Sequence, residues 1–264
     1  MNKQTLVIKC GGSTLAQLPD SFYTDMCALQ QKGIIPIIVH GGGPAINETL
    51  QRLNIESAFV NGLRKTSAEV LQVVEMVLGG QINKAIVRRI QSFGASAVGL
   101  SGIDGRLIQA KPVANTEEIG FVGEVTGVNA ELIQGIVNMG YIPVIAPLGI
   151  DADGQSFNIN ADTAAGAVAS HLGAERLVVV TDVPGIMKII DGERVVLPTV
   201  TVAEIEQMIT TGDIYGGMIP KVRAAIDCIQ GKVQEVVIVD GSVPEVLSKV
   251  LAGTSRLGTR IVRG

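Results

Sequence analysis

The segment Thr5-Leu6-Val7-Ile8-Lys9-Cys10-Gly11-Gly12-Ser13 decides the fold of this 264-residue chain. A short apolar run bounded by glycines predicts a buried strand, and this one leads directly into a lysine and a glycine turn. In parallel α/β sheets, ligands bind where the strands end. Glycines let backbone N–H groups approach an anion closely, and a lysine adds positive charge, so this turn predicts a phosphate site. By itself the motif fits a tight strand-to-helix turn beside an exposed lysine equally well.

Short β-rich runs alternate with longer helical stretches along the rest of the chain. We expect strands near residues 5–9, 34–40, 97–100, 141–146, 177–181 and 235–239. We expect helices over 20–31, 44–53, 67–90, 130–139, 161–171, 202–210, 218–230 and 243–251. This alternation requires crossover connections. It predicts an α/β fold, a three-layer αβα sandwich whose central, mainly parallel sheet is shared by two lobes.

We expect a single domain, 1–264, divided at about residue 175 into an N-terminal lobe, 1–175, and a C-terminal lobe, 176–264. Three regions interrupt the strand–helix alternation. Residues 107–128 indicate short antiparallel strands, 151–160 a hairpin or loop over a site, and 181–197 a similar element with a turn at Asp191 and Gly192.

Composition excludes several classes of function. The net charge is -4 at pH 7, so the chain has no general attraction for nucleic acid or for an anionic membrane. Its uninterrupted apolar stretches are shorter than a membrane helix, and its N-terminus does not fit a secretory signal. We therefore expect a cytoplasmic protein with no nucleic-acid and no membrane partner. Three dispersed cysteines and two histidines indicate buried thiols rather than a metal site.

A second glycine run, HGGGP at residues 40–44, follows the second predicted strand and opens a helix. Free N–H groups and the helix dipole favour anions at such a position. A purely structural loop is the alternative, and we interpret His40 as a hydrogen-bonded packing residue rather than a base. Neither GxGxxG nor GxxxxGK[ST] follows these strands, so both familiar nucleotide motifs are absent.

Arg64 lies in NGLRKT (61–66), just before the long predicted helix. A guanidinium there is placed to bind a substrate carboxylate with two hydrogen bonds, although many such arginines are surface residues. In NINAD (158–162), two amides and an acid begin a helix, for which N-capping by Asn160 is the structural explanation.

The segment GGMIPK (216–221) begins a helix with a glycine pair and places Lys221 one turn in. A second lysine beside phosphates and a solvated helix lysine are both consistent with this. Taken together, the segments indicate phosphoryl transfer, which depends on positioning and charge stabilisation. A carboxylate acceptor is already ionised at pH 7 and needs no general base, so the scarcity of histidine is no obstacle.

The motifs KCGGS, HGGGP, NGLRKT, NINAD, TDVPGI and GGMIPK occur in this order along essentially the whole chain. In this order they resemble the amino acid kinase family. KCGG, HGGG and TDVPG are similar to several branches of it, whereas NGLR, NINAD and GGMIPK at these spacings together resemble its acetylglutamate branch. The resemblance implies a kinase that transfers the γ-phosphoryl of ATP to the γ-carboxylate of N-acetyl-L-glutamate, a step of arginine biosynthesis.

The resemblance also implies a role for each motif residue. The catalytic residues would be Lys9, Lys221 and Asp162, with Asp162 ion-paired to both lysines. Acceptor binding would involve Gly42, Gly43, Arg64 and Asn158. Phosphate and ATP binding would involve Gly11, Gly12, Thr181, Asp182, Gly216 and Gly217.

The implied co-substrate is MgATP, with magnesium held by the ATP phosphates and no protein metal site. Because the first strand begins so near residue 1, leaving no room for the N-terminal helix of arginine-inhibited hexameric members, we expect an arginine-insensitive homodimer. The alternatives are a related family member acting on carbamate, glutamate, aspartate or a nucleoside monophosphate, and a non-catalytic nucleotide sensor.

Overall fold

The computed structural model describes residues 4–264 apart from 16, 61, 191, 217, 232 and 254–256. Two sequence-based predictions, the nucleotide contact of Gly217 and the turn residue Asp191, lie outside the described residues.

The strands and helices alternate as predicted. The strands are β1 Gln4–Cys10, β2 Ile34–His40, β3 Phe59–Val60, β4 Leu63–Arg64, β5 Ala97–Ser101, β6 Ile108–Pro112, β7 Gly123–Val128, β8 Ile142–Ala146, β9 Leu148–Ile150, β10 Ser156–Asn158, β11 Arg176–Thr181, β12 Met187–Ile190, β13 Glu193–Val196, β14 Thr199–Thr201, β15 Glu235–Asp240 and β16 Thr259–Val262. The α-helices are α1 Gly12–Leu15, α2 Asp20–Gln31, α3 Gly43–Arg52, α4 Ala68–Glu75, α5 Asn83–Ser92, α6 Thr116–Ile119, α7 Ala130–Asn138, α8 Ala161–Leu172, α9 Val202–Thr211, α10 Met218–Gln230 and α11 Val246–Leu251.

Among the described residues, eight strands form one central sheet in the order β14-β16-β15-β11-β1-β2-β8-β5. Its pairings are parallel except for the antiparallel pair β15 and β16. Val7, Ile8, Ile37 and Ile38 are fully buried because helices cover the sheet. The predicted α/β fold with a mainly parallel central sheet is therefore confirmed.

The register of the sheet brings the predicted site residues to one edge. In the parallel ladder Cys10 is paired with His40 on one side and with Val180 on the other. Parallel neighbours end at the same edge, so the glycine turns after β1 and β2 lie next to each other and to Thr181, where β11 ends.

The three irregular regions form antiparallel elements, as predicted. Residues 107–128 contain the β6–β7 pair, and β9 and β10 form a hairpin around residues 151–155. These four strands make a second sheet, in the order β10-β9-β6-β7. Strands β12 and β13 form a separate hairpin within 181–197.

The long predicted helix is continuous from Ala68 to Ser92, but a π-helical segment, Met76–Ile82, separates α4 from α5. By length and composition alone this helix is apolar enough to cross a membrane. Its residues Val70, Val73 and Val74 pack instead into a hydrophobic cluster with α3. Such packing is typical of a core helix of a folded domain.

Some boundaries differ from those predicted. Helix α11 begins at Val246 rather than at 243, because Glu245 has a φ of 56°, in the left-handed region that an α-helix cannot include. The short strands β14 and β16 were not predicted, since four or fewer residues carry too little periodicity to be recognised.

Candidate active site

Lys9 and Asp162 form an ion pair at the carboxyl edge of the central sheet. Lys9 Nζ lies 2.8 Å from Asp162 Oδ1, and the side chains are only 6% and 15% exposed. Asp162 is in the first turn of α8, where Asn160 Oδ1 accepts hydrogen bonds from the backbone N–H groups of Asp162 (2.8 Å) and Thr163 (3.2 Å). The predicted N-cap therefore also fixes the position of the carboxylate that holds Lys9.

Lys221 is held differently from the sequence-based expectation. Its Nζ donates a hydrogen bond to Thr181 Oγ1 at 2.9 Å, and Thr181 Oγ1 donates to Asp182 Oδ1 at 3.1 Å. Among the described side chains, no ion pair joins Lys221 to Asp162. The expectation that Asp162 pairs with both lysines is thus wrong for this structure, because Lys9 engages the carboxylate and the Lys221 ammonium is directed towards Thr181.

The two lysines influence each other electrostatically. Burial lowers the pKa of Lys221 from its ordinary value of 10.5, and the positive charge of Lys9 lowers it further. The carboxylates of Asp182 and Asp162 oppose this effect. A region that gathers two ammonium groups in partial burial is favourable to a multiply charged anion such as a phosphoryl group.

The glycine turns after β1 and β2 are in backbone contact. A Cβ placed on Gly12 would lie 2.7 Å from the Gly42 nitrogen and 3.0 Å from the Gly43 nitrogen. Only glycine permits this approach, which sets the two turns side by side at the edge of the sheet. Gly11 is anchored by a hydrogen bond from its N–H to Val180 O at 3.3 Å.

Arg64 is 94% buried, with its guanidinium against the β3–β4 hairpin. It donates hydrogen bonds to Ser57 Oγ and to Gly43 O (3.4 Å), and its Cζ lies 4.6 Å from the centre of the Phe59 ring. Burial lowers the Arg64 pKa. The residue is therefore not the free surface arginine that was the alternative reading of the motif.

Asn158 is positioned by a neighbour that sequence reasoning did not single out. Its Nδ2 donates to Thr66 Oγ1 at 3.2 Å, and this fully buried hydroxyl donates to Arg64 O at 2.8 Å. The chain of contacts links Asn158 to Arg64. The only signal for Thr66 in the sequence was its place at the end of NGLRKT.

The predicted catalytic and acceptor-binding residues line one cavity of about 330 Å³, which we call the acceptor cavity after the predicted acceptor contacts. It is bounded by Lys9, Gly11, Gly12, Ser13, Thr14, Gly41, Gly42, Gly43, Pro44, Ile46, Phe59, Gly62, Leu63, Arg64, Leu78, Val122, Pro147, Asn158, Ile159, Asn160, Ala161, Asp162, Thr181 and Lys221. The structure thus brings together all three predicted catalytic residues, all four predicted acceptor contacts, and Gly11, Gly12 and Thr181.

A second cavity of about 430 Å³, which we call the apolar cavity, adjoins it. It is bounded by Val183, Gly185, Ile186, Met187, Lys188, Ile189, Arg194, Gly212, Asp213, Ile214, Tyr215, Met218 and Lys221. A loop over a site was predicted here. Val183, Gly185, Ile186 and Met218 belong to the motifs TDVPGI and GGMIPK, but only Lys221 was assigned a role. Large apolar residues within polar stretches of sequence were the available signal for this cavity. In the structure two of them, Ile189 and Tyr215, are 67% and 70% exposed.

Two other predicted nucleotide contacts line neither cavity among the described residues. Asp182 is exposed and reaches the site through Thr181, and Gly216, with a φ of 57°, follows the cavity residue Tyr215.

His40 and Cys10 lie near Lys9 but are unsuited to proton transfer or nucleophilic attack. Burial lowers the pKa of His40 to about 4, so the ring is neutral, with Nδ1 3.0 Å from Gly41 O and Nε2 3.3 Å from Asn83 Nδ2. Burial also raises the pKa of the Cys10 thiol to about 12. The interpretation of His40 as a packing residue agrees with this geometry.

Comparison with known proteins identifies the family. Residues 4–240 match the model of the amino acid kinase family. The acetylglutamate kinase of Halalkalibacterium halodurans is 52% identical over 90% of this chain and 89% of its own length. The acetylglutamate kinase of a Geobacillus species is 49% identical over 96% of both chains.

Solved structures share the same fold over the whole chain. A Streptococcus mutans protein, smu.665, superimposes with a TM-score of 0.87 at 30% identity, covering 99% of this chain and 100% of its own. Carbamate kinase from Giardia lamblia bound to AMP-PNP superimposes with a TM-score of 0.70 at 18% identity, with complete coverage of both chains. The chain therefore belongs to the amino acid kinase family, and its curated relatives place it among the acetylglutamate kinases of that family.

Proposed function

We propose that this protein transfers the γ-phosphoryl group of ATP to the γ-carboxylate of N-acetyl-L-glutamate, giving an acyl phosphate and ADP in arginine biosynthesis. The observation that carries this proposal is the position of Lys221, which among the described residues is common to the acceptor cavity and the apolar cavity. A phosphoryl donor in one cavity and its acceptor in the other would meet beside this ammonium group.

The acceptor cavity has the chemistry that an N-acylated amino diacid requires. Buried Arg64 offers a guanidinium to the α-carboxylate, and Asn158 offers an amide to the acylated nitrogen. Apolar lining residues such as Leu63 and Val122 suit an acetyl methyl group better than they suit a free ammonium group. This combination supports N-acetyl-L-glutamate over glutamate or carbamate.

The apolar cavity has the chemistry that a nucleoside requires. Its walls include Ile186, Ile189 and Met218, which suit the faces of a purine, and Arg194 and Lys188 add positive charge at its margin. We propose ATP as the co-substrate there, with magnesium held by its phosphates. Lysine side chains and glycine backbone N–H groups at the site are available to those phosphates, and the magnesium ion would come with the nucleotide.

In this arrangement the carboxylate oxygen attacks the γ-phosphorus and the bond to the β,γ-bridging oxygen breaks. The carboxylate is ionised at neutral pH, so no base is needed, in agreement with a neutral, buried His40. Lys9, held by Asp162, and Lys221 would stabilise the charge that spreads over the equatorial and bridging oxygens. The N–H groups at Gly12, Gly42 and Gly43 would donate to the phosphoryl and acceptor oxygens.

The division of labour between the halves of the chain is part of the proposal. Every described residue lining the apolar cavity is numbered 183 or higher, whereas those of the acceptor cavity are numbered 162 or lower apart from Thr181 and Lys221. This supports an acceptor-binding lobe of about 1–175 and an ATP-binding lobe of about 176–264.

We also propose a cytoplasmic homodimer, with the exposed Met76 on the long helix as a candidate contact.

The test is an ATP-dependent hydroxamate assay, because hydroxylamine traps acyl phosphates. We expect strong product formation with N-acetyl-L-glutamate and little with glutamate, aspartate or carbamate. Product with another carboxylate alone would contradict the proposed acceptor and keep the mechanism. Tight ATP binding without product for any acceptor would contradict the proposed kinase activity and favour a nucleotide sensor.

A further inference from the structure

Lys221 is at the junction of the two cavities, but the acid that was expected to hold it forms its described ion pair with Lys9 instead. Asp162 Oδ1 contacts Lys9 at 2.8 Å, and the described contact of the Lys221 ammonium is with Thr181 Oγ1 at 2.9 Å. A lysine has a flexible four-carbon stem, so its charge is useful at one point only if a fixed group holds it there.

Three features fix the Thr181 hydroxyl. The residue is the last of β11, 98% buried, and its backbone carbonyl accepts a hydrogen bond from Gly241 N at 2.9 Å. A β-branched side chain has a restricted χ1. The hydroxyl proton is directed to Asp182 Oδ1 at 3.1 Å, which leaves the oxygen lone pairs free to accept from Lys221.

We propose that Thr181 is a positioning residue that holds the Lys221 ammonium at the junction of the acceptor and apolar cavities, with Asp182 orienting its hydroxyl. This rests on the proposed function, because the consequence for catalysis follows from the role of Lys221 in phosphoryl transfer. Thr181 is not required to touch the transferring group. Its contribution passes through the lysine.

The electrostatic setting makes such a holder necessary. Lys9 repels the Lys221 charge, and the carboxylates of Asp182 and Asp162 attract it. Without the Thr181 hydroxyl as an acceptor, the flexible side chain of Lys221 would be free to shift towards either carboxylate. The hydroxyl of Thr181 accepts a hydrogen bond without adding a charge, so it fixes position and leaves the full positive charge for the phosphoryl group.

The first test is a double-mutant cycle with Thr181→Val, Thr181→Ser and Lys221→Ala, measured by the hydroxamate assay. Valine keeps the shape and removes the hydroxyl, and serine restores it. We expect T181V to lower kcat about ten- to hundred-fold with little change in the KM of the acceptor, and T181S to stay within about threefold of wild type. In the K221A background, T181V should cause no further loss, because its effect acts through the lysine.

Additive losses of T181V and K221A, a wild-type kcat in T181V, or failure of T181S to restore kcat would overturn the proposal. If T181V does not fold, as judged by its thermal unfolding, Asp182→Ala takes its place, since Asp182 is exposed. D182A should lower kcat about three- to tenfold, and this loss should also disappear in the K221A background.

A second measurement does not depend on turnover and so separates this inference from the proposed function. The titration of Lys221 can be followed by NMR of protein carrying lysine labelled at Cε and Nζ, with K221A identifying the resonance. Loss of an acceptor destabilises the ammonium form, so T181V should lower the Lys221 pKa below that of wild type, and T181S should leave it unchanged. An unchanged pKa in T181V would contradict the contact. If the wild type forms no acyl phosphate, the proposed function fails and this titration still tests the contact.

Discussion

The backbone of Gly12 lies directly against the backbone of Gly42, so that a Cβ on Gly12 would approach the Gly42 nitrogen to 2.7 Å and its Cα to 2.8 Å. These residues come from turns after two neighbouring parallel strands, and their contact closes one wall of the acceptor cavity. The clash is with backbone rather than with the end of a flexible side chain, so only a shift of one whole turn could relieve it.

Gly12→Ala is therefore expected to separate the two turns and disable the site. We expect kcat/KM in the hydroxamate assay to fall at least about 100-fold, since the donor N–H groups would be displaced by about an ångström. Gly135→Ala is the matched control, because Gly135 is exposed in α7 and an added Cβ meets no atom within 4 Å. G135A should keep full activity; a fully active G12A would show that the close approach is dispensable.

Lys9→Ala and Lys221→Ala each remove one charge from the junction of the cavities. We expect kcat to fall about 100- to 1000-fold and KM to change much less, because each charge matters most in the transition state. Steady-state kinetics with both substrates measures this. Lys111→Ala removes an exposed lysine elsewhere and should behave as wild type. A raised KM with unchanged kcat would refute the assigned role of either lysine.

Arg64→Lys keeps a positive charge but loses the fork that spans Ser57 Oγ, Gly43 O and the Phe59 ring. We expect the KM for N-acetyl-L-glutamate to rise about ten- to hundred-fold, with the KM for ATP nearly unchanged. Arg52→Lys, at an exposed arginine at the end of α3, serves as the control. Equal effects on both substrates would indicate that Arg64 supports the fold rather than the acceptor.

His40 should make stability depend on pH. Its pKa is lowered from 6.5 to about 4 by burial, so the unfolded chain binds the proton more readily than the folded protein. The contribution of neutral His40 to the free energy of unfolding is fully present above pH 6.5 and is lost as the pH falls towards 4. Between pH 7 and pH 5 the free energy of unfolding should fall by about 2 kcal/mol from this group.

Urea unfolding of wild type and His40→Asn at pH 7 and pH 5 measures this contribution. H40N should be less stable at pH 7 and should show a flatter pH dependence. His171→Gln, at the exposed second histidine, should retain the wild-type dependence. A wild-type slope in H40N would show that other groups carry the effect.

Much of the fold was predictable from local pattern. Helices α2 and α10 have the predicted bounds, and the strands that carry Lys9 and Thr181 lie where expected, because buried parallel strands have short apolar runs and helices have amphipathic ones. Strand β16 was missed, since its pairing with β14 and β15 depends on residues distant in the chain.

The sequence by itself determined the fold class, the family and the residue types of the site, because motif order and strand–helix alternation are local properties of the chain. Only the tertiary structure decided which partner each charge takes. Asp162 forms an ion pair with Lys9, whereas Lys221 donates a hydrogen bond to Thr181. These partners depend on how close α8 and α10 lie to the ends of β1 and β11, which the sequence does not show. The apolar cavity likewise arises where the β12–β13 hairpin meets the segment before α10, because packing alone brings these separate apolar residues together.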